Sequence, residues 1–216
     1  MPRYKLIAFD VDGTMVKHIS SWRYMHERLM LWDELAHRYQ ERFLAGKISY
    51  RKYCELDASH WKGLSERRVE EIFNKAQYAK NAPYCIKKLK KIGFKLLAIS
   101  TGLQYMAKRL EKELMFDHVI YNELISKRGF LTGGVKINIT HGGKGAVLKR
   151  ALKDMRIKPS EVISVGDSAG DIPLVRIAGY SIAFNSSDKN LSRVVDYNCR
   201  TKDFKEVLDK ITSVNI

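Results

Sequence analysis

The chain has 216 residues, 45% of them hydrophobic, only four prolines, and a formal charge of +15. That length supports one good core, or a core with a small appendage, and the composition excludes a disordered or fibrous chain. No stretch approaches the roughly 18 uninterrupted apolar residues of a membrane helix, and Lys5 and Asp10 bracket too short an apolar run for a signal peptide; the expectation is a cytoplasmic protein with no membrane contact.

In chain order, Tyr4–Phe9 is a short apolar run that reads as a strand and ends in Asp10-Val11-Asp12-Gly13-Thr14. From about Ser21 to Lys80 no strand is credible. Trp22, Met25, Leu29, Trp32, Ala36, Tyr39 and Phe43 recur at steps of three and four, the apolar stripe of one long helix ended by Gly46. Two further helices are expected over Ser49 to Trp61 and Ser65 to Tyr78, with Gly63 between them and Ser65 as an N-cap. The alternating texture then resumes. Helices over Pro83–Ile92, Gln104–Leu114, Lys144–Met155 and Ile172–Ala178 separate strands over Phe94–Ser100, Glu161–Val165 and Tyr180–Phe184, and Asp203–Thr212 closes the chain. Val119–Tyr121 is a further strand candidate, and Glu123–Lys127 and Phe130–Ile139 flank Arg128-Gly129 as a hairpin.

Near-continuous apolar strands alternating with helices point to an α/β fold, a Rossmann-like parallel sheet flanked by helices. The expected organisation is a core of residues 1–15 and 81–216, with a small helical cap, residues 16–80, inserted after the first strand.

In an open parallel sheet, ligands bind beyond the carboxyl ends of the strands. The predicted strands deliver Asp10 and Asp12, then Ser100-Thr101-Gly102, then Gly166-Asp167, with Asp171 four residues on, while Lys144 opens a helix. Four carboxylates at one edge would push up one another's pKa, and a divalent cation relieves that; hard oxygen ligands suit Mg²⁺. One of the paired aspartates can attack phosphorus as a nucleophile while the other moves protons. Ser100 and helix-start amides offer donors for phosphate oxygens, and Lys144 offers positive charge for a transferring phosphoryl group. A P-loop is excluded, since Asn138 stands where its first glycine belongs and Gly145 where its Ser or Thr belongs. Cys54, Cys85 and Cys199 are widely spaced without a CxxC, and the histidines show no HxxxH, so neither offers a zinc site. Lysine runs such as Lys87-Lys88 and Lys90-Lys91 read as solvated helix faces; the charge also raises nucleic-acid binding, for which no motif is present.

These four motifs, in this order and over nearly the whole chain, resemble those of the haloacid dehalogenase (HAD) superfamily, and more narrowly its phosphoserine-phosphatase-like branch. The resemblance implies a Mg²⁺-dependent phosphatase acting on a small phosphorylated metabolite through an aspartyl-phosphate. It implies Asp10 as nucleophile, Asp12 as general acid/base, and Ser100, Thr101 and Gly102 around the phosphoryl oxygens. Lys144 would offset charge on Asp10 and the phosphoryl group, and Asp167 would bind Mg²⁺ with Asp10 and the Asp12 main-chain carbonyl. Asp171 would support the metal site or pair with Lys144. The second aspartate of the first motif is absent from dehalogenases proper, so its presence favours phosphate chemistry.

The cap departs from the branch. Where its members carry an arginine for the substrate carboxylate, this chain has Asp57; where they carry an acidic residue for the amine, it has Ile19. Asp57 is open to two readings, one facing the cleft as a substrate-binding residue, the other bonding a cap neighbour such as His60. Trp22, Trp32 and Trp61 are candidates for the pocket wall or for cap packing. Two other functions stay in view: the same chemistry on a terminal phosphate of nucleic acid, and a non-catalytic binding protein on this fold.

Overall fold

The strand β1 (Leu6–Phe9) is buried along its whole length, and its alternation sorts the core into two layers. Ile7 and Phe9 face one side, Leu6 and Ala8 the other. The computed structural model describes residues 3–31 and 34–215. In chain order, β1 is followed by α1 (Ser21–Arg28), α2 (Glu34–Leu44), α3 (Tyr50–Ser59), α4 (Glu66–Asn74) and α5 (Ala82–Ile92). Next come β2 (Lys95–Leu103), α6 (Gln104–Leu114), β3 (His118–Lys127), β4 (Phe130–Lys136) and α7 (Lys144–Met155). The chain then forms β5 (Val162–Gly166), α8 (Ile172–Val175), β6 (Tyr180–Ala183), α9 (Lys189–Ser192), β7 (Tyr197–Asn198) and α10 (Lys205–Val214).

The strands make one sheet in the order β4-β3-β2-β1-β5-β6-β7. Every pairing is parallel except β3 with β4, which form the hairpin. Arg128 (φ 53°) and Gly129 (φ 80°) are both left-handed, which matches the right-handed twist of the strands they join. Ile7, Phe9, Leu96, Ala98, Ile163 and Val165 pack under α5, α6 and α10, while Leu6, Ala8, Leu97, Ile99 and Val162 pack under α7 and α8. Covering both faces is what lets these strands be apolar throughout.

The long helix expected over Trp22 to Phe43 is instead two helices. Met30 adopts φ 56° and is 92% exposed, and the Leu31 N–H turns back to the His26 carbonyl at 2.8 Å, ending α1. A left-handed residue stops the α-helical ladder whatever the apolar stripe suggests. Trp32 lies outside the described residues. The N-cap expected at Ser65 forms, its hydroxyl accepting from the Arg68 N–H at 3.3 Å. The turn between α3 and α4 and the start of α4 rest on the hairpin through Gly63 N–H to Leu131 O, Leu131 N–H to Leu64 O and Glu66 N–H to Gly129 O. Among the described residues no helix is long and apolar enough to cross a membrane.

Candidate active site

Pairing of Phe9 with both Ala98 and Val165 brings Asp10, Gly166 and the Ser100 segment of β2 to one edge of the sheet, β2 itself running on to Leu103. Asp10 follows β1 directly, its N–H donating to Val165 O at 2.9 Å. Gly13, at φ 84°, turns the chain, and any side chain there would overlap the Asp167 carboxylate. That close approach brings Thr14 Oγ1 to 3.0 Å from Asp167 Oδ1.

Lys144 enters from the first turn of α7. Its Nζ lies 2.5 Å from Asp10 Oδ1 and 2.6 Å from Asp171 Oδ1, and all three residues are at most 5% exposed. The second oxygen of Asp171 accepts the Asp167 and Ser168 N–H groups at 3.0 and 3.2 Å. Asp171 is therefore engaged at both oxygens and braces the loop that presents Asp167.

Carboxylate oxygens of Asp10, Asp167 and Asp171 lie within 4.8 Å of one another. Burial pushes the Asp10 carboxyl well above its ordinary range, the Asp171 charge adds to this, and Lys144 only partly opposes it. Burial and Asp171 push Asp167 up to about 6. Burial alone would lower the Lys144 ammonium, but Asp10 and Asp171 hold its pKa above the usual value, so it stays charged. Three crowded carboxylates against one ammonium leave surplus negative charge on hard oxygen donors, which fits a divalent cation beside Asp10 and Asp167.

Asp12 behaves differently. Burial would raise its pKa, yet His18 Nε2 at 3.0 Å from Oδ1 and the Ser21 N–H at 2.7 Å from Oδ2 outweigh that and hold it below the usual carboxylate range. Ser21 also reaches the second strand, its hydroxyl accepting from the Leu103 N–H at 2.9 Å. A side chain at Gly102 would overlap Ser21 Oγ and Asp12 Oδ2, so the absence of a Cβ there keeps the first motif against the second. Ser100 Oγ accepts the Gly102 N–H at 2.9 Å.

Asp10, Asp12, Ser100, Thr101 and Lys144 line one cleft of about 360 Å³, together with Ser168 to Gly170. Its far wall comes from the helices after β1, Trp22, Gln40, Phe43, Tyr50 and Tyr53, with His141 against Phe43 and Tyr50. The Thr101 carbonyl accepts from Trp22 Nε1 (3.0 Å), Tyr50 OH (3.2 Å) and Asn122 Nδ2 (3.0 Å), tying that wall to β2. Fully buried Asn122 also takes the N–H groups of Asn138 and Ile139 on its oxygen, fixing the segment that leads to Lys144.

Asp57 does not line this cleft. It is fully buried, with Oδ1 3.3 Å from His26 Nε2, and its charge adds to burial in raising the pKa of the Tyr53 phenol. Of the two readings, contact with a neighbouring helix is the one seen, with His26 rather than His60 as partner, because the apolar stripe of α3 carries Asp57 inward beside Cys54 and Ala58. Trp22 lines the cleft, whereas Trp61 is 1% exposed and stacks beneath it at 5.7 Å. Sequence reasoning passed over Thr14, His18, Ser21 and Asn122. The first three stand within nine residues of Asp12, so polar residues clustered just after the motif were the available signal; Asn122, one polar residue in a strand, offered none.

The family model for haloacid dehalogenase-like hydrolases matches residues 7–176. A phosphoserine phosphatase of Methanocaldococcus jannaschii is 28% identical over 208 residues, covering 96% of this chain and 97% of its own. One from Streptococcus thermophilus is 31% identical over 211 residues, covering 97% and 96%. A longer one from Archaeoglobus fulgidus is 30% identical over 185 residues; the match takes in 85% of this chain but 53% of the relative, about half its length. Among solved structures, a substrate-bound phosphoserine phosphatase complex superposes with a TM-score of 0.82 at 26% identity, covering 96% of this chain and 98% of that one. A phospho-aspartyl intermediate analogue of phosphoserine phosphatase gives 0.80 at 27% identity, covering 96% and 99%.

Proposed function

The chain belongs to the haloacid dehalogenase-like hydrolases, in their phosphoserine-phosphatase-like branch, and as a phosphoric monoester hydrolase of that family we propose that it cleaves a small phosphorylated metabolite through a phosphorylated Asp10, with Mg²⁺ as its metal. The observation that carries this reading is the Lys144 ammonium held between Asp10 and Asp171 on the floor of the cleft.

In the first half-reaction a carboxylate oxygen of Asp10 attacks phosphorus, and the bond from phosphorus to the leaving alcohol breaks. Asp12 hands a proton to that departing oxygen. Asp12 then takes a proton from water, whose oxygen adds to phosphorus and displaces Asp10, giving inorganic phosphate and the starting carboxylate. His18, 3.0 Å away, and the Ser21 N–H hold Asp12 below its usual pKa and orient it, and the proton it takes from water in the second step is the one it gives to the next leaving oxygen. Ser100, whose Oγ accepts the Gly102 N–H and keeps its own proton to donate, steadies a phosphoryl oxygen, and Lys144 offsets charge that builds there. Asp10 and Asp167 would hold Mg²⁺ with the Asp12 main-chain carbonyl, and Asp171 would brace them. When bound, the metal supplies positive charge that draws the phosphate dianion to Asp10 and lowers repulsion between them. The helices α1 to α4 would act as a cap that excludes water during transfer.

The cleft volume of about 360 Å³ suits a small metabolite. A nucleic-acid terminus is disfavoured, because among the described residues that line the cleft Lys144 is the one Lys or Arg, and it is held by Asp10 and Asp171. The test is phosphate release from p-nitrophenyl phosphate with Mg²⁺. Release that stops in EDTA and returns with Mg²⁺ is expected; undiminished release in EDTA would overturn the metal-dependent reading.

A further inference from the structure

The floor of the cleft is charged, and aromatic rings dominate the wall above it. Phe43 at the end of α2 stacks on Tyr53 of α3, ring centroids 5.2 Å apart and planes 8° from parallel. It meets His141 edge-on at 5.2 Å and Tyr50 at 5.6 Å. All four rings line the cleft.

Two polar groups of this wall are already engaged by the protein. Tyr50 OH and Trp22 Nε1 both donate to the Thr101 carbonyl. What these residues offer a ligand is ring surface. Leu44 and Ile19, 71% and 70% exposed at the mouth, extend it with aliphatic surface. Such surface favours an apolar or aromatic group that leaves water on binding.

Charge argues in the same direction. An amino-acid leaving group brings a carboxylate and an ammonium, and each must find a partner when desolvated. Lys144 is committed to Asp10 and Asp171. Arg23 and Lys17 sit beyond Ser20 around a separate hollow, bonded to Glu27 at 2.7 Å and Gln77 at 2.8 Å. Of the carboxylates outside the catalytic floor, Asp188 lines the cleft, and its oxygens accept backbone N–H groups from Ala169, Asn190 and Leu191. The stacking of Phe43 on Tyr53 turns their faces toward each other, which does not build a face-lined cage for a cationic head.

We infer that the substrate is the phosphate monoester of an uncharged aryl or aralkyl alcohol, selected by the ring wall of Phe43, Tyr50, Tyr53 and His141; this rests on the phosphatase reading above and narrows it. Two non-hydrolysable ligands separate the two, because binding is read without turnover. In calorimetry on the full chain with Mg²⁺, phenylethyl phosphonate is expected to bind at least about tenfold tighter than the methylene phosphonate analogue of phosphoserine. Equal affinities, or preference for the serine analogue, would overturn the inference. Phe43→Ala is expected to bring the ratio toward one, with Phe43→Leu, which keeps most of the volume, in between; a ratio unchanged in both would also overturn it. The matching hydrolysis assay compares kcat/KM for benzyl phosphate with that for phosphoserine and phosphocholine, and benzyl phosphate is expected to lead. Should the aryl phosphonate bind as expected while no ester releases phosphate, the phosphatase reading fails and the ring-wall preference stands. Should phosphoserine or phosphocholine be the better substrate, the preference fails and the phosphatase reading stands.

Discussion

His18 Nε2 lies 3.0 Å from Asp12 Oδ1, and the two side chains meet six residues apart because the chain doubles back through Gly13, whose N–H bonds the His18 carbonyl at 2.7 Å. The His18 ring also stacks on Tyr24 at 4.6 Å, which fixes its plane. The charge state of Asp12 thus depends on a residue outside the motif that contains it.

Replacing His18 by alanine removes the main interaction that offsets burial of Asp12, so the Asp12 pKa rises. The limb of the kcat/KM profile that reports Asp12 is therefore expected to move to higher pH in His18→Ala. An unmoved profile with only a lower plateau would show that His18 does not tune Asp12.

Asp57 and His26 make a different kind of pair, fully buried at 3.3 Å between α3 and α1 and away from the cleft. Asp57→Asn keeps the shape but loses the charge that His26 faces. A loss of about 1–3 kcal/mol in urea unfolding is expected, with kcat on p-nitrophenyl phosphate within about twofold of wild type. Unchanged stability with lost activity would instead return Asp57 to the substrate.

Much of this layout could be read in the sequence, for physical reasons. The helices α6 and α7 begin and end at the residues their periodicity marks, Gln104 to Leu114 and Lys144 to Met155, since each has a continuous apolar face to bury. The ends of β1 and β5 were legible to within a residue because Asp10 and Gly166 terminate apolar runs there, whereas β2 continues past Ser100 to Leu103. The break between α1 and α2 was not. Met30 is an ordinary helix former, and its left-handed turn comes from the tertiary arrangement rather than from its own preference. The partner of Asp57 was hidden for a related reason. A stripe says that a side chain points inward, but whether it meets the cleft, His60 or His26 depends on how α1 and α3 cross. Asn122 belongs with these, since its role exists only once distant strands lie side by side.

Far from the cleft, Glu206 in the first turn of α10 accepts from Tyr197 OH, the Arg200 N–H, the Thr201 N–H and Thr201 Oγ1, all within 2.9 Å. Partial burial opposes ionisation, but these four donors win and draw its pKa from 4.5 down to about 2. A depressed carboxylate stabilises the fold fully above its unfolded pKa, and that contribution fades as pH falls through the folded value. Glu206→Gln is therefore expected to lower the urea midpoint at neutral pH, with the gap from wild type closing between about pH 4.5 and about pH 2. A gap that stays constant across that window would show that the carboxylate's charge is not what holds the 197–201 segment to α10.

The most direct measurement is to quench the enzyme in acid during turnover of a labelled phosphate ester and map the peptide that carries the phosphoryl group. The account predicts label on the peptide containing Asp10, none in Asp10→Asn, and turnover in that variant reduced by about four orders of magnitude or more. Label on another residue, or full turnover by Asp10→Asn, would contradict it.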